Sequence, residues 1–171
     1  MEYRTRKSTR LPGFDYNSPG VYFMTVCVNN RARVLSRIVL TNEGGAVELL
    51  PYGQIADRII RQMNAHYPYL TVDKYVIMPD HIHFLITITD LASANIKTND
   101  SANAIISRFI GTFKRFCNKE YGKNIWQDGS HDHLIRNQQD YNEKWIYIDN
   151  NPIKWIVTGK IHNTEPGADP V

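Results

Sequence analysis

Two apolar runs set close together constrain this chain more than any other feature. Tyr75-Val76-Ile77-Met78 and Phe84-Leu85-Ile86-Thr87-Ile88 are separated only by Pro-Asp-His-Ile-His. Runs this short, rich in β-branched and aromatic residues, read as strands rather than helix. Leu70 to Thr89 is therefore a strand, a tight kink at Pro79 and a long central strand. Its hydrophobic flanks bury that central strand and make its backbone stiff.

The rest of the pattern supplies partners. Residues Val21 to Val28 read as a strand, and Arg33 to Leu40 as a second, followed by the turn residues Asn42, Gly44 and Gly45. A helix is expected from about Tyr52 to His66, with Ile55, Ile59 and Met63 four apart on one face and Pro68 beyond its end. Residues 90–101 are polar and loop-like. A further helix from about Asn103 to Tyr121 turns Ile106, Ile110, Phe113 and Cys117 inward and leaves Lys114 and Arg115 largely off that stripe. A loop holds Trp126, Gly129 and His131. The last helix has Asn137 as N-cap and Asp140 in its first turn. It is expected to end near Asn150 or Asn151, because the residue before Pro152 avoids helical angles. The order is roughly ββαββαα, an α+β architecture with helices packed on an antiparallel sheet. At 171 residues the chain is expected to be one domain, 1–171. It would begin with a basic arm over 1–20 and close with a poorly packed tail over 160–171.

Within that frame a few side chains are suited to chemistry. Alternation along a strand points His81 and His83 to one side, about 7 Å apart by the strand rise, and Ile82 to the other. Imidazoles so placed can bind one cation; two unrelated surface histidines is the competing reading. On the last helix Tyr141, Trp145 and Ile148 form a stripe expected to face the core. Tyr147 lies about 100° from Ile148 and over Asn151 if the helical turn persists that far. A phenol off the apolar face, with a carboxamide one turn away, can attack a phosphorus if a cation offsets the phosphate charge. It can equally be a packing residue. His131-Asp132-His133 repeats the spacing but reads as loop or hydrogen-bonding histidine. His66 sits at a helix end, His162 in the tail, and Glu43, Glu48 and Asp57 show no paired-carboxylate spacing.

Charge matters here for its distribution. The net charge is only +3, but Arg4, Arg6, Lys7, Arg10, Arg31, Arg33 and Arg37 crowd the first 37 residues against Glu2 and Asp15. Arg108, Lys114, Arg115, Lys119 and Lys123 form a second basic run. Two basic segments around a polar site suit a polyanion; a solvated surface is the alternative. No disulfide framework is readable from Cys27 and Cys117, which fits a reducing compartment. No apolar run is long enough to span a membrane, so a cytoplasmic protein with no membrane partner is expected.

Taken together, Met78-Pro79-Asp80-His81-Ile82-His83-Phe84-Leu85 resembles the His-hydrophobic-His (HUH) signature of single-tyrosine transposases. Trp126-Gln127, His133-Leu134-Ile135-Arg136-Asn137 and the run from Tyr147 to Trp155 resemble the C-terminal half of the REP-associated branch. The arm Arg6 to Arg10, with Asp15-Tyr16 and Gly20-Val21-Tyr22-Phe23, matches that branch's opening. The resemblance covers about residues 4 to 158. It implies a ferredoxin-like sheet, the HUH nuclease fold, with the His pair on a central strand. It implies Mg²⁺ or Mn²⁺ bound by His81, His83 and Asn151. It also implies Tyr147 as nucleophile, leaving a 5′-phosphotyrosine and a 3′-hydroxyl on single-stranded or hairpin DNA. The arm residues Arg4, Arg6, Lys7 and Arg10, with Arg108, Lys114 and Arg115, would contact that DNA. The protein would act as monomer or homodimer. Two departures stand out: Asp80, where the family usually has Asn, and Asp128-Gly129-Ser130-His131, less aromatic than in many relatives. The rivals are a non-catalytic or host-adapted nucleic-acid-binding protein on the same scaffold, and a metal-dependent hydrolase that uses water.

Overall fold

The computed structural model describes residues 19–89 and 105–158. Strand β1 (Gly20–Cys27) leads through a short 3₁₀ turn, Asn29–Arg31, to a hairpin of β2 (Ser36–Thr41) and β3 (Gly44–Leu49). Helix α1 (Pro51–His66), β4 (Leu70–Ile77), β5 (His81–Ile88), α2 (Ile105–Tyr121), β6 (His131–Leu134) and α3 (Gln138–Val157) follow. The main sheet runs β4-β5-β1-β6, and its paired strands are antiparallel. β2 and β3 form a separate two-stranded sheet. The fold is α+β and ferredoxin-like, as the sequence implies.

The sheet has two unlike faces. Tyr22, Met24 and Val26 of β1 and Ile82, Phe84, Ile86 and Ile88 of β5 join Ile59 and Met63 of α1 and Phe109 and Phe113 of α2 in one core. At about 25 cal/mol per Å² of apolar surface, that face dominates the stability. The opposite face of β5 carries His81 and His83 and faces α3, on which the β2–β3 hairpin packs, and there Ile38, Met78 and Trp155 make a smaller cluster. Gly53 allows the close approach of α1 to the hairpin's start, since a Cβ there would lie 1.9 Å from the Leu35 carbonyl oxygen.

Four expectations are corrected. The second strand starts at Ser36 rather than Arg33, and of the residues read as a turn after it Asn42 is in the turn while Gly44 and Gly45 open a further strand, β3, so a hairpin stands where one strand was expected. The cue was weak because Gly44-Gly45 reads as turn while Val47 and Leu49 alternate only briefly. Residues 131–134 are strand, not loop, recruited by pairing with β1 across Tyr22↔Leu134 and Thr25↔His131. The order is therefore βββαββαβα. Helix α3 continues through Pro152 to Val157. An interior proline costs about 3 kcal/mol, but burial of Asn151, Pro152 and Trp155 opposes that cost. The hairpin abuts this turn closely: a Cβ on Gly45 would lie 2.8 Å from both the Ile153 nitrogen and the Pro152 carbonyl carbon. Finally, Tyr141, Trp145 and Ile148 are not the core stripe. Trp145 is exposed, with Lys74 Nζ 4.1 Å from its ring centroid, and the buried stripe is Ile148, Asn151, Pro152 and Trp155.

Candidate active site

The two histidines inherit their geometry from the sheet. In the β1–β5 register His83 stands opposite Thr25 and His81 opposite Cys27. Thr25 Oγ1 lies 2.8 Å from His83 Nδ1, and the carboxylate of Asp80 bonds His81 Nδ1. With both Nδ1 atoms engaged, both Nε2 atoms turn toward each other and stand 3.0 Å apart. A partner on one ring nitrogen fixes the tautomer that leaves the other free to ligate. Both imidazoles are buried. Burial, helped by the charges of His81, Arg31 and Lys144, lowers the His83 pKa to about 3. The ring is thus neutral at ordinary pH, which is the form that binds a metal.

Helix α3 brings the other groups across. Tyr147 packs edge-on against His83, with ring centroids 5.3 Å apart, and against Phe23 at 5.7 Å. It is about one-third exposed, so its hydroxyl-bearing ring borders solvent rather than the core. Lys154 Nζ lies 5.0 Å from its ring centroid. Asn151, one turn on, is buried, whereas Asn150 is exposed. Thr25, Arg31, Asp80, His81, His83, Tyr147, Asn151 and Lys154 line one cleft of about 450 Å³, together with Trp155 and Thr158. The helix is regular where Pro152 was expected to end it, and that regularity places Asn151 beside Tyr147.

The donor set fits a divalent ion. Two neutral imidazoles with converging Nε2 atoms and a neutral carboxamide oxygen suit a cation that accepts nitrogen and oxygen ligands. Among the described residues, no three His, Cys, Asp or Glu side chains form a metal cluster; beside the two imidazoles, Asn151 also lines the cleft.

The remaining predicted residues are scattered. Arg4, Arg6, Lys7, Arg10 and His162 lie outside the described residues. Arg108 and Arg115 are exposed on α2. Lys114 is partly buried, which lowers its pKa, and donates to the carbonyls of Gln127, at 2.7 Å, and Gly129. It ties down the 127–129 loop, and with Arg115 and Asp128 it lines a second hollow of about 780 Å³. His133 bonds Asp140, Asp57 accepts from Tyr75 and Arg61, and Glu48 pairs with Arg37. Those are structural contacts. Sequence reasoning missed Thr25 and Arg31 as neighbours of the His pair, because neither the β1–β5 register that brings Thr25 there nor the turn after β1 that brings Arg31 to Asp80 is visible in a linear chain. Among the described residues, no helix is long and apolar enough to cross a membrane.

Comparison with known proteins finds relatives of this chain. No family model matches the chain. A Haemophilus influenzae protein named "Putative REP-associated tyrosine transposase" is 30% identical over 152 residues, covering 82% of this chain and 74% of its own length. The REP-associated tyrosine transposase of Escherichia coli K12 is 28% identical, covering 82% of this chain and 72% of its own. A solved structure of a REP-associated tyrosine transposase bound to a REP hairpin superposes with a TM-score of 0.56 at 26% identity, over 90% of this chain and 73% of that one.

Proposed function

Because the chain belongs to the family of REP-associated tyrosine transposases, we propose that it cuts and rejoins single-stranded DNA bearing a REP-like hairpin, with Tyr147 as the nucleophile. One observation carries this reading: the pair His81 and His83 and the pair Tyr147 and Asn151, far apart in sequence, line a single cleft. The phenol oxygen of Tyr147 bonds to the scissile phosphorus and loses its proton. The bond from phosphorus to the 3′ oxygen breaks, and that oxygen takes up a proton as a 3′-hydroxyl. The product is a 5′-phosphotyrosine, and attack by a 3′-hydroxyl reverses the step and joins a strand. Edge packing against Phe23 and His83 holds the phenol toward the cleft. His81 Nε2, His83 Nε2 and the Asn151 carboxamide would hold Mg²⁺ or Mn²⁺. Such an ion, when bound, offsets the charge on the phosphate and on the departing oxygen. Arg108 and Arg115, with the arm residues, would track the DNA backbone, and binding would then weaken steeply with salt.

The test is incubation of the protein with hairpin-bearing single-stranded DNA and a divalent ion. A denaturation-resistant protein–DNA adduct is expected, and Tyr147→Phe, which removes only a hydroxyl, should fold normally and form none. Nicked DNA without adduct would favour water as the attacking group. Hairpin binding with no nick would favour a binding protein on the same scaffold.

A further inference from the structure

We propose that Arg31 grips the scissile phosphate beside Tyr147, an assignment that rests on the strand-transfer reading above. Four cations stand at or beside the cleft, and three are laid over aromatic rings. Lys154 lies 5.0 Å from the Tyr147 centroid, Lys144 5.5 Å from that of Phe23, and Arg33 5.4 Å from that of Trp155. Arg31 is placed differently. Its side chain is 55% exposed and lines the cleft, and its Nη1 is 3.7 Å from Asp80 Oδ1. A charge-assisted bond is about 2.7–2.9 Å, so this contact steers the guanidinium without engaging its fork. The same Oδ1 already bonds His81 Nδ1. The guanidinium therefore lines the same cleft as the histidines and Tyr147, close enough for its charge to act on His83, and its planar fork is of the kind that binds two non-bridging phosphate oxygens.

The backbone supplies a second, independent argument. Asn30 and Arg31 have φ of 54° and 55°, and among the described residues they are the non-glycine residues with positive φ. L-residues adopt this region only when their surroundings impose it, and such strain gathers at functional sites. The turn is pinned on both sides: Val28 N donates to Asp80 O at 2.9 Å, Asn29 N to Ile125 O at 2.8 Å and Arg31 N to Val28 O at 3.2 Å. Glycine would occupy position 31 without strain. An arginine there costs stability, and what it gains is a cation fixed at the cleft wall next to β5.

Single-turnover adduct formation tests the assignment, using wild type, Arg31→Gly and Arg31→Lys. Arg31→Gly relieves the backbone, so it should melt above wild type and keep the hairpin affinity, yet react about 100-fold more slowly. Arg31→Lys restores the charge without the fork and should recover part of that loss. The deciding substrate carries a neutral methylphosphonate at the scissile position. With the phosphate charge removed, wild type and Arg31→Gly should react at the same rate. If Arg31 served only to hold Asp80 and His81, the rate ratio would persist on the neutral substrate, and the assignment would be overturned. Equal rates on natural DNA would overturn it too. A wild type that forms no adduct at all would sink the strand-transfer reading and this assignment with it, whereas adduct at equal rates sinks this assignment alone.

Discussion

His81-Ile82-His83 and His131-Asp132-His133 have the same spacing and lie on the two strands that flank β1. Thr25 stands opposite His83 in one register and opposite His131 in the other. Their surroundings nevertheless differ. β5 is central, and its imidazoles are buried, each with Nδ1 engaged and Nε2 turned inward. β6 is a four-residue edge strand. His131 is exposed at the 780 Å³ hollow, and His133 is drawn to Asp140, with Nε2 2.9 Å from Oδ2. The spacing puts two rings on one side of a strand. What suits one pair of them to hold an ion is burial, a partner on each outer nitrogen, and a carboxamide lining the same cleft from another element.

The largest predicted effect tests that contrast directly. His81→Ala or His83→Ala should reduce metal-dependent adduct formation by more than about 100-fold, since even outer partners of metal ligands contribute 10- to 100-fold. His131→Ala should leave the single-turnover rate near wild type. If His131→Ala is as inactive as His83→Ala, the two motifs act together and the contrast fails.

A second test uses the depressed pKa of His83. An unfolded imidazole titrates near 6.5, while in the fold burial holds His83 at about 3. Between those values the unfolded chain binds a proton that the folded chain refuses. Stability is therefore intact above about pH 6.5 and falls toward pH 3, by up to about 1.4 kcal/mol per pH unit. Urea unfolding of the metal-free protein at pH 7, 5.5 and 4.5 should show this loss, and His83→Asn should lessen the slope. An identical slope in both proteins would mean that His83 is solvated rather than buried.

Much of this was legible in the chain. The α+β class, the α1 stripe of Ile55, Ile59 and Met63, and the α2 stripe of Ile106, Ile110, Phe113 and Cys117 follow from period alone; Ile55 is partly buried against the core and the other six side chains are buried. The pairing of His81 with His83 follows from the two-residue repeat of a strand. What was hidden depends on tertiary contact. Pro152 reads as a helix stop until the hairpin packs against it, and only the packed helix buries Asn151. β6 has no strand signal of its own and exists because β1 offers it an edge. Trp145 reads as core by spacing from Ile148, yet it lies exposed beneath Lys74, which also pairs with Asp149 at 2.6 Å.

Smaller effects grade the supports around the His pair. Asn151→Ala should raise the metal concentration needed for cleavage and spare hairpin binding, while Asn150→Ala, at an exposed position, should do little. The reverse result would move the third donor to Asn150. Thr25→Val removes the partner of His83 Nδ1 but keeps the β-branched shape. It should weaken metal affinity about 10-fold, read as a shifted metal titration with no change in melting temperature beyond a degree or two. A metal titration that does not move would show that Thr25 merely fills space.

The smallest effect belongs to the other motif. His133 is partly exposed, and its bond to Asp140 is of the kind worth about 0–1 kcal/mol. Asp140 does not depend on it alone. Its Oδ2 also accepts from Arg136 N at 3.1 Å, and its own N–H donates to the N-cap Asn137 at 2.9 Å. A carboxylate in the first turn of α3 is favoured by the helix dipole whether or not an imidazole faces it. His133→Ala should therefore lower the melting temperature by about 1–4 °C and leave the metal titration unchanged, because neither the cleft nor Tyr147 touches this end of the helix. A variant that melts normally but binds metal less tightly would show that β6 reaches the site through β1, and the two His-x-His motifs would then be parts of one device.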